Sequence, residues 1–402
     1  MGLRMLRALR DPAVLVCASV AFILGMGFFM PTHAAWCDLF YVLAGPGILL
    51  ALKRGGFDLN WRDPAVLLPV ALIGWFTLTQ AWCINPARRA DLFYVQGFCC
   101  LVFFLGAVQA LRQSGFAARL GRVLIAGGSL NALISIGFYP SRNGIGGRLG
   151  GIGETRQAIL GASLIAVAAL WAFWRASQPK RQNLKSSRGW YFAAGLLLTL
   201  FILLTQSRGP IAGFGAGLLL LIVAHRRRWR ILALAMGFPA MLLWFDRGLR
   251  AFVWGAINDR GTSWRPEIWR ASIASIKLHP WIGNGAGSLL GYNNFTFPHD
   301  LYLSLLFYSG MIGFALFVAL VVLLFWRLCH RPGAERILLW ALWANMLISG
   351  LTDYGQIIQS PSPLWYIVWL PIAYTVVYTT NPITPRLSEA VDTKDRAWPI
   401  PL

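Results

Sequence analysis

Acidic residues and polar stretches are scarce in this chain of 402 residues. Asp and Glu number 15 against 36 Lys and Arg, and charged residues of both signs make up only 13% of the sequence. Apolar residues reach 57%, more than a soluble domain of this length could bury, and we expect no soluble domain at either end. This composition excludes a soluble enzyme and predicts an all-helical protein that crosses the membrane many times.

Cysteine is also rare, and its spacing excludes the common metal and redox motifs. The chain has six Cys residues, with no Cys-x-x-Cys pattern and no Cys/His spacing typical of a zinc site. We interpret them as small apolar packing residues. A disulfide between Cys37 and Cys83, which are both predicted near the outer surface, is left open.

Apolar runs of roughly membrane-spanning length predict about twelve transmembrane helices. Gly209-Pro210 favours a tight turn between two of them rather than one long segment. Because the first run is followed by Pro31-Thr32-His33 and a second run, we expect no cleavable signal peptide. The runs lie near residues 13–30, 34–52, 64–82, 91–111, 119–139, 158–175, 190–205, 210–224, 231–245, 301–326, 336–352 and 363–380.

The net charge of +21 follows the membrane topology rather than a nucleic-acid site. With the N-terminus inside, 24 of the 36 Lys and Arg fall on the cytoplasmic face, and this bias predicts that both termini are cytoplasmic. Residues 1–380 would form a single transmembrane domain, and 381–402 a disordered cytoplasmic tail. The basic face suits anionic membrane lipids and requires no nucleic acid.

Three outer segments hold arginines on the face that the topology rule disfavours. They are residues 140–157, the turn 205–210 and the long loop 246–300, which is the only polar segment large enough to fold on itself. A guanidinium fork matches the paired oxygens of a diphosphate, although single arginines also reach lipid headgroup phosphates. Arg208 is the strongest candidate because its short turn holds the charge at a fixed depth. The outer arginines are Arg142, Arg148, Arg156, Arg208, Arg247, Arg250, Arg260, Arg265 and Arg270.

Within the long loop, residues 264–278 have the pattern of an amphipathic helix. Trp264, Ile268 and Ile273 recur at helical spacing, whereas Arg265 and Ser272 fall on another face. We expect this helix to lie along the outer membrane interface, with a helix that covers the bundle as the alternative.

His299 stands where this loop enters the next apolar run, and imidazole can accept and return a proton near neutral pH. Pro298 precedes it and Asp300 can cap the following helix. A purely structural histidine is the competing interpretation. His33 is interpreted as a residue of a solvated loop, and the Gly-rich stretches 143–153 and 283–291 as flexible loops or as nests of amides for a phosphate.

Three stretches resemble the O-antigen ligase family of bacterial envelopes, which shares a core region with O-antigen polymerases and protein oligosaccharyltransferases. They are TQSRGPIAGFGAG at residues 205–217, RPEIWRA at 265–271 followed by Pro280 and IGNGAGS, and HDLYLSLLFYSGMIG at 299–313. The resemblance covers roughly residues 200–375, whereas the N-terminal half matches only in hydropathy. Asp300 departs from the family, in which Asn, Ser or Gln is common, and we expect its carboxylate to stabilise the protonated imidazole or to orient the ring.

The resemblance implies a membrane-embedded, inverting glycosyltransferase of the bacterial inner membrane with a periplasmic active site. It would move a glycan from undecaprenyl diphosphate to a sugar hydroxyl of lipid A-core, with no cofactor and no metal. His299 would act on the acceptor hydroxyl, and Arg208 and Arg265 would hold the departing diphosphate. Further candidates for binding the diphosphate or the acceptor are Arg142, Arg148, Arg156, Arg260, Arg270, Asp300 and Asp353.

Two other functions remain open from the sequence. An O-antigen polymerase would use the same chemistry with a lipid-linked glycan as acceptor. A transporter or flippase of lipid-linked glycan belongs to another class, and such proteins place charged groups near the middle of the bilayer and often contain repeated halves. Neither feature is visible here, which favours an enzyme.

Overall fold

Helices form the regular structure of this protein. The computed structural model describes residues 11–55, 59–86, 92–139, 147–178, 187–224, 264–293 and 295–380, and within these ranges the strand-like pairings are two isolated bridges. A π turn, Phe40–Ala44, lies inside α2, and a second one, Trp365–Trp369, leads into α12. The helices α1 to α12 are Pro12–Met26, His33–Gly55, Pro64–Leu78, Leu92–Arg112, Phe116–Gly137, Ala158–Ser177, Ser187–Leu204, Arg208–Ala224, Arg265–Leu278, Leu301–Cys329, Glu335–Gly350 and Leu370–Thr380.

Helices lie at eleven of the twelve predicted spans, and the twelfth, 231–245, is outside the described residues. The predicted tail 381–402 and residues 246–263 of the long loop are outside them as well. The prediction of an all-helical membrane protein is confirmed, while the count of twelve spans stays a prediction. Within the described ranges, six helices are long and apolar enough to cross a membrane: His33–Gly55, Pro64–Trp82, Tyr94–Arg112, Phe116–Gly137, Ala158–Ser177 and Leu301–Cys329.

The outer surfaces of these helices are apolar, as lipid contact requires. Val42, Leu133 and Val322 are 71%, 59% and 62% exposed although each lies inside a helix. Because lipid offers no hydrogen bonds, each helix satisfies its own backbone and turns apolar side chains outward. Side-chain caps fix the starts of α1 and α3, since Asp11 and Asp63 each accept a hydrogen bond from the amide two residues on.

The centre of the bundle is formed by α6 and by residues 364–377, which are buried almost throughout. The rings of Trp171 and Tyr374 stack there with their centroids 5.7 Å apart. The closest helix pair is α8 with α11, where Gly213 lies directly against Ser349 and the Asn345 carbonyl. Small residues at such a contact let two helices approach backbone to backbone.

Helix α10 is broken at Gly310, which has φ 63° and ψ −167°. The break frees backbone groups, and the Gly-rich stretch 283–291 together with α3 satisfies them. Asn284 and Gly285 amides donate to the Phe307 and Tyr308 carbonyls at 2.7 and 3.0 Å, and Trp75 Nε1 donates to the Ser309 carbonyl at 2.9 Å. Irregular backbone at membrane depth is tolerated because protein groups complete its hydrogen bonds.

The predicted helix in the long loop is present as α9, with Pro266 in its first turn. It packs against α10, and its buried residues are Ile268 and Ser272. The predicted division of its faces was partly wrong, because Ser272 is buried and Ile273 is 43% exposed. Burial of Ser272 is tolerated since its hydroxyl donates to the Ile268 carbonyl at 2.7 Å.

Candidate active site

His299 and Asp353 form a close pair between the start of α10 and the segment that follows α11. His299 Nδ1 lies 3.1 Å from Asp353 Oδ1, and the Asp353 side chain is 2% exposed against 25% for His299. A carboxylate at Nδ1 holds the N–H of the neutral ring there and leaves Nε2 free to accept a proton. Among the described residues the second carboxylate oxygen, Asp353 Oδ2, is buried without a hydrogen-bond partner.

The local backbone holds this pair in an uncommon conformation. His299 has φ +54° and Tyr354, next to Asp353, has φ +82°, both in the left-handed region that non-glycine residues seldom occupy. Two aromatic rings enclose the imidazole, with centroid distances of 3.9 Å to Phe297 and 5.9 Å to Phe295. Strained, enclosed side chains of this kind cluster at functional sites.

Asp300 has a different role from the one expected. Its Oδ1 accepts a hydrogen bond of 2.8 Å from the Leu303 amide and so caps α10, as predicted. The prediction that Asp300 orients the histidine was wrong, because Asp353 makes that contact while the Asp300 carboxylate is turned towards the helix amides. Burial raises the pKa of the Asp300 carboxyl above its usual value, and hydrogen bonds from amides and the nearby Arg265 charge only partly oppose this.

Arg208 begins α8 and is exposed, next to a very close contact with the segment that carries Asp353. Gly209 lies so near the Thr352 side chain that a Cβ at Gly209 would overlap it. Thr352 directly precedes Asp353 in the chain. The turn of Arg208 and the His299–Asp353 pair are therefore brought to the same end of α8 and α11.

Arg148 fixes the turn in front of Arg208. Its Nε donates to the Thr205 carbonyl at 3.0 Å and its Nη2 to Ser207 Oγ at 2.7 Å. Leu149 strengthens the same junction through a 3.0 Å bond from its amide to the Leu204 carbonyl. These contacts make Arg148 a residue that positions Arg208.

Arg265, the first residue of α9, lies close enough to Asp300 for its charge to lower the pKa of that carboxyl. Trp264 before it has φ +60°, so the chain turns sharply into the helix. Arg270, further along α9, is exposed. Of the three predicted catalytic residues, Arg265 lies near Asp300, the residue after His299, and Arg208 precedes Gly209, which packs against Thr352, the residue before Asp353.

The other arginines predicted to bind substrate either contact a different segment of the chain or lie outside the described residues. Arg156 is exposed and donates from Nη2 to the Pro31 carbonyl at 3.1 Å, at the end of a short 3₁₀ helix, Gly153–Arg156. Arg142 and Arg260 lie outside the described residues, as do Arg247 and Arg250.

The Gly-rich stretch 283–291 is not a nest of free amides for a phosphate. Besides the two bonds to α10, the Ala286 amide donates to Thr79 Oγ1 at 3.0 Å, and the Leu289 amide to the Asn85 carbonyl at 2.7 Å. The Gly287 amide donates to Gln356 Oε1 at 3.3 Å. These donors dock the stretch onto α10, onto the residues that follow α3 and onto Gln356, so it has a structural role.

A cavity of about 400 Å³ opens beside the His299–Asp353 pair. Asp353 and Phe297, the two residues against the imidazole, are part of its wall. The far wall comes from the N-terminal half, where His33 Nδ1 lies 3.8 Å from Glu154 Oε2. A second cavity of about 350 Å³ adjoins it and shares His33, Glu154 and Gln157.

Sequence reasoning missed the residues of this far wall. His33 was interpreted as a loop residue, and Glu154 and Gln157 were not singled out. Their position follows from buried Asn131, whose Nδ2 donates to the Phe28 and Ile152 carbonyls at 2.6 and 3.2 Å. A polar residue inside the predicted span 119–139 was the available signal, because buried amides in membrane helices need partners.

No cluster of three or more His, Cys, Asp or Glu side chains suited to a metal occurs in the described parts of the chain. The groups gathered at the site are an imidazole, a buried carboxylate and guanidiniums. Such a set can move a proton and neutralise an anion.

An all-helical integral membrane protein with a polar site at one end of its bundle is the class that these observations define. Comparison with known proteins finds one family of similar sequences. Residues 192–318 match the family model described as O-Antigen ligase. An O-antigen ligase of Pseudomonas aeruginosa is 28% identical to this chain in an alignment of 375 residues that covers 88% of this chain and 88% of the relative. The chain is therefore similar to O-antigen ligases, in residues 192–318 by the family model and over most of its length by this relative.

Proposed function

We propose that this protein is an inverting glycosyltransferase of the bacterial inner membrane. It transfers a glycan from undecaprenyl diphosphate to a sugar hydroxyl of lipid A-core, at a site that faces the periplasm. The observation that carries the proposal is the 3.1 Å contact between His299 Nδ1 and buried Asp353, beside a cavity. Arg265 lies near Asp300, and Gly209, next to Arg208, packs against Thr352. Similarity to O-antigen ligases supports the choice of substrates.

In the proposed reaction, His299 acts as the general base. Asp353 keeps the Nδ1–H in place, so that Nε2 accepts the proton of the acceptor hydroxyl as this oxygen attacks the anomeric carbon of the donor. The attack breaks the bond between that carbon and the diphosphate oxygen and inverts the anomeric configuration. The leaving diphosphate takes the electron pair of the broken bond.

Arg208 and Arg265 are proposed to neutralise the charge that develops on the leaving diphosphate. Guanidinium groups remain charged even when partly desolvated and bind paired phosphate oxygens through two parallel hydrogen bonds. Arg148 supports this role indirectly through Ser207, and Arg156 and Arg270 are retained as candidate outer contacts. A diphosphate is already a good leaving group, and we expect transfer to proceed without a divalent metal.

The test uses purified protein in vesicles with lipid-linked glycan and lipid A-core. Wild type is expected to produce a larger lipopolysaccharide, with or without a chelator. His299→Ala should lower the transfer rate by about 10²-fold or more, and Arg265→Ala by about 10²-fold. Lys277→Ala, an exposed cation on the same helix α9, is the matched control and should retain activity.

Each alternative has its own outcome in this assay. Full transfer by both His299→Ala and Arg265→Ala would show that the site is wrong. Movement of glycan between leaflets without covalent transfer would identify a transporter. Lengthening of the glycan when lipid-linked glycan is the sole substrate would identify a polymerase.

A further inference from the structure

The cavity of about 400 Å³ has a charge that does not suit a diphosphate. Its wall carries the carboxylates of Glu154 and Asp353, its basic side chain His33 is paired with Glu154, and none of its described lining residues is Lys or Arg. A dianionic group would be repelled there, because like charges at close range in a partly desolvated site cost free energy. The guanidiniums of Arg208 and Arg265, which suit a diphosphate, are not part of this wall.

The wall instead presents hydrogen-bonding groups that the protein itself leaves unused. Within the described residues, Asp353 Oδ2 and Ser362 Oγ are buried and have no hydrogen-bond partner. The Gln157 side chain stands at the start of α6 without capping it. Buried polar atoms are normally satisfied, so unpartnered ones on a cavity wall indicate that a ligand or water completes them.

Apolar groups line the same wall as these polar ones. Leu160, Leu289 and Phe297 contribute carbon surface between the amides, hydroxyls and carboxylates. A sugar ring has the matching chemistry, since its hydroxyls both donate and accept and its C–H faces are apolar. The volume lies near the lower end of the range of about 300–1,000 Å³ for small-molecule sites, which suits a short sugar unit and not a polymer.

We propose that this cavity is a subsite for an uncharged sugar unit of one of the two glycan substrates, held by Asp353, Ser362, Gln157 and Glu154 and kept apart from the diphosphate. The identity of the ligand in this proposal rests on the proposed function, but the test of the proposal does not. Binding can be measured with soluble probes and needs no transfer reaction.

The experiment measures dissociation constants by calorimetry for the full chain in nanodiscs, with three probes. They are the delipidated core oligosaccharide, the glycan released from the lipid-linked donor, and inorganic pyrophosphate. Ser362→Ala and Gln157→Ala should each weaken binding of one of the two sugar probes about three- to tenfold, as expected for one lost hydrogen bond. Binding of pyrophosphate should stay unchanged in both variants and should be lost in Arg265→Ala.

Ser129→Ala is the matched control, because Ser129 Oγ is also buried and unpartnered among the described residues but lies on α5 away from this wall. Neither Ser variant removes a hydrogen bond within the protein, so thermal unfolding should match wild type and show that the fold is intact. The sugar probe that responds identifies the substrate whose unit is bound. Unchanged binding of both sugar probes in Ser362→Ala and Gln157→Ala, or a parallel loss of pyrophosphate binding, would overturn the proposal.

Failure of the proposed function would appear differently. In that case wild type would give no transfer in vesicles, whereas sugar binding and its dependence on Ser362 would still be measurable. If transfer is normal but the dissociation constants of the sugar probes are unchanged in the cavity variants, the subsite alone would be rejected.

Discussion

Two carboxylates lie next to His299, and their hydrogen bonds distinguish them. Asp300 follows the histidine in sequence, but its Oδ1 accepts a hydrogen bond from the Leu303 amide. Asp353, 54 residues away, contacts the imidazole. Proximity in sequence therefore selects the wrong partner. The side chain that supports a catalytic base is the one whose acceptor faces the ring nitrogen.

This difference gives a prediction for one substitution made at two positions. Asp353→Asn should lower kcat about 10- to 100-fold with a smaller change in KM. The neutral Asn side chain would no longer hold the Nδ1–H tautomer of His299 or stabilise the imidazolium that forms during the reaction. Asp300→Asn keeps an oxygen that can cap Leu303 and should leave kcat within about threefold. Initial rates of transfer in vesicles at saturating donor decide between them, and equal losses in the two variants would remove the special role of Asp353.

At the scale of elements, the main feature of α10 is its break at Gly310. Gly310 has φ 63°, and a Cβ there would meet the Trp281 carbonyl and the Gly283 amide. The break lets the stretch 283–291 dock against α10, with its neighbours α9 and His299 on either side. Helix α10 and this stretch therefore form one unit that locates the candidate base.

Gly310→Ala should consequently destabilise the protein by at least about 1–3 kcal/mol, from the left-handed backbone and the overlap with Trp281 together. Gly215→Ala in α8 is the control, because a Cβ at Gly215 meets open space and alanine favours a helix. Thermal unfolding in detergent should show a lower midpoint for the first variant and an equal or higher one for the second. An unchanged midpoint for Gly310→Ala would mean that the break is not required.

The opposite end of α10 is tied to α3 by a bidentate ion pair. Arg327 Nη2 and Nη1 lie 2.7 and 2.9 Å from the two oxygens of Asp63. Burial acts to raise the pKa of Asp63, but the hydrogen bonds from Arg327 and the Ala65 amide outweigh it, so the pKa lies below its usual value. The pair therefore stabilises the fold above the usual carboxyl pKa, and this contribution is lost as the pH falls through the lowered value.

A double-mutant cycle with Asp63→Asn and Arg327→Gln should give a coupling free energy of about 1–3 kcal/mol near pH 7. Asn at position 63 can still accept from Ala65, so the cap of α3 is retained in the cycle. In unfolding measurements the coupling should shrink as the pH falls below the usual carboxyl pKa and through the lowered pKa of Asp63, where its carboxyl becomes protonated. A coupling that does not change with pH would contradict an ionic contribution.

At the scale of the whole molecule, the helices could be predicted and much of the site could not. Each apolar run must close its own hydrogen bonds in lipid, so eleven predicted spans coincide with helices. Arg208, Arg265 and His299 were selected by motif. The pairing of His299 with Asp353 depends on the irregular segment 351–364, and the cavity joins His33 and Glu154 to the C-terminal half. Such contacts between distant segments leave no periodic signal in a sequence.

Topology is the remaining property of the whole molecule, and α10 offers the means to test it. Its part after the break at Gly310, residues 311–329, gives roughly 28 Å at about 1.5 Å per residue, close to the hydrocarbon core of about 30 Å, so the two ends of α10 should face opposite sides. Cys329, exposed at the far end from His299, should react with a membrane-impermeant maleimide in spheroplasts only after permeabilisation. Thr296→Cys, exposed near His299, should react before it.

Peptide mass mapping assigns each label to its residue and separates these sites from Cys83, which is partly exposed and hydrogen-bonded to Ser288. The positive-inside bias predicts this orientation independently of the structure, because the more basic face stays in the cytoplasm. Labelling of Cys329 in intact spheroplasts, with Thr296→Cys protected, would show that the protein has the opposite orientation in the membrane. The candidate site would then face the cytoplasm, and transfer to a periplasmic acceptor would be impossible.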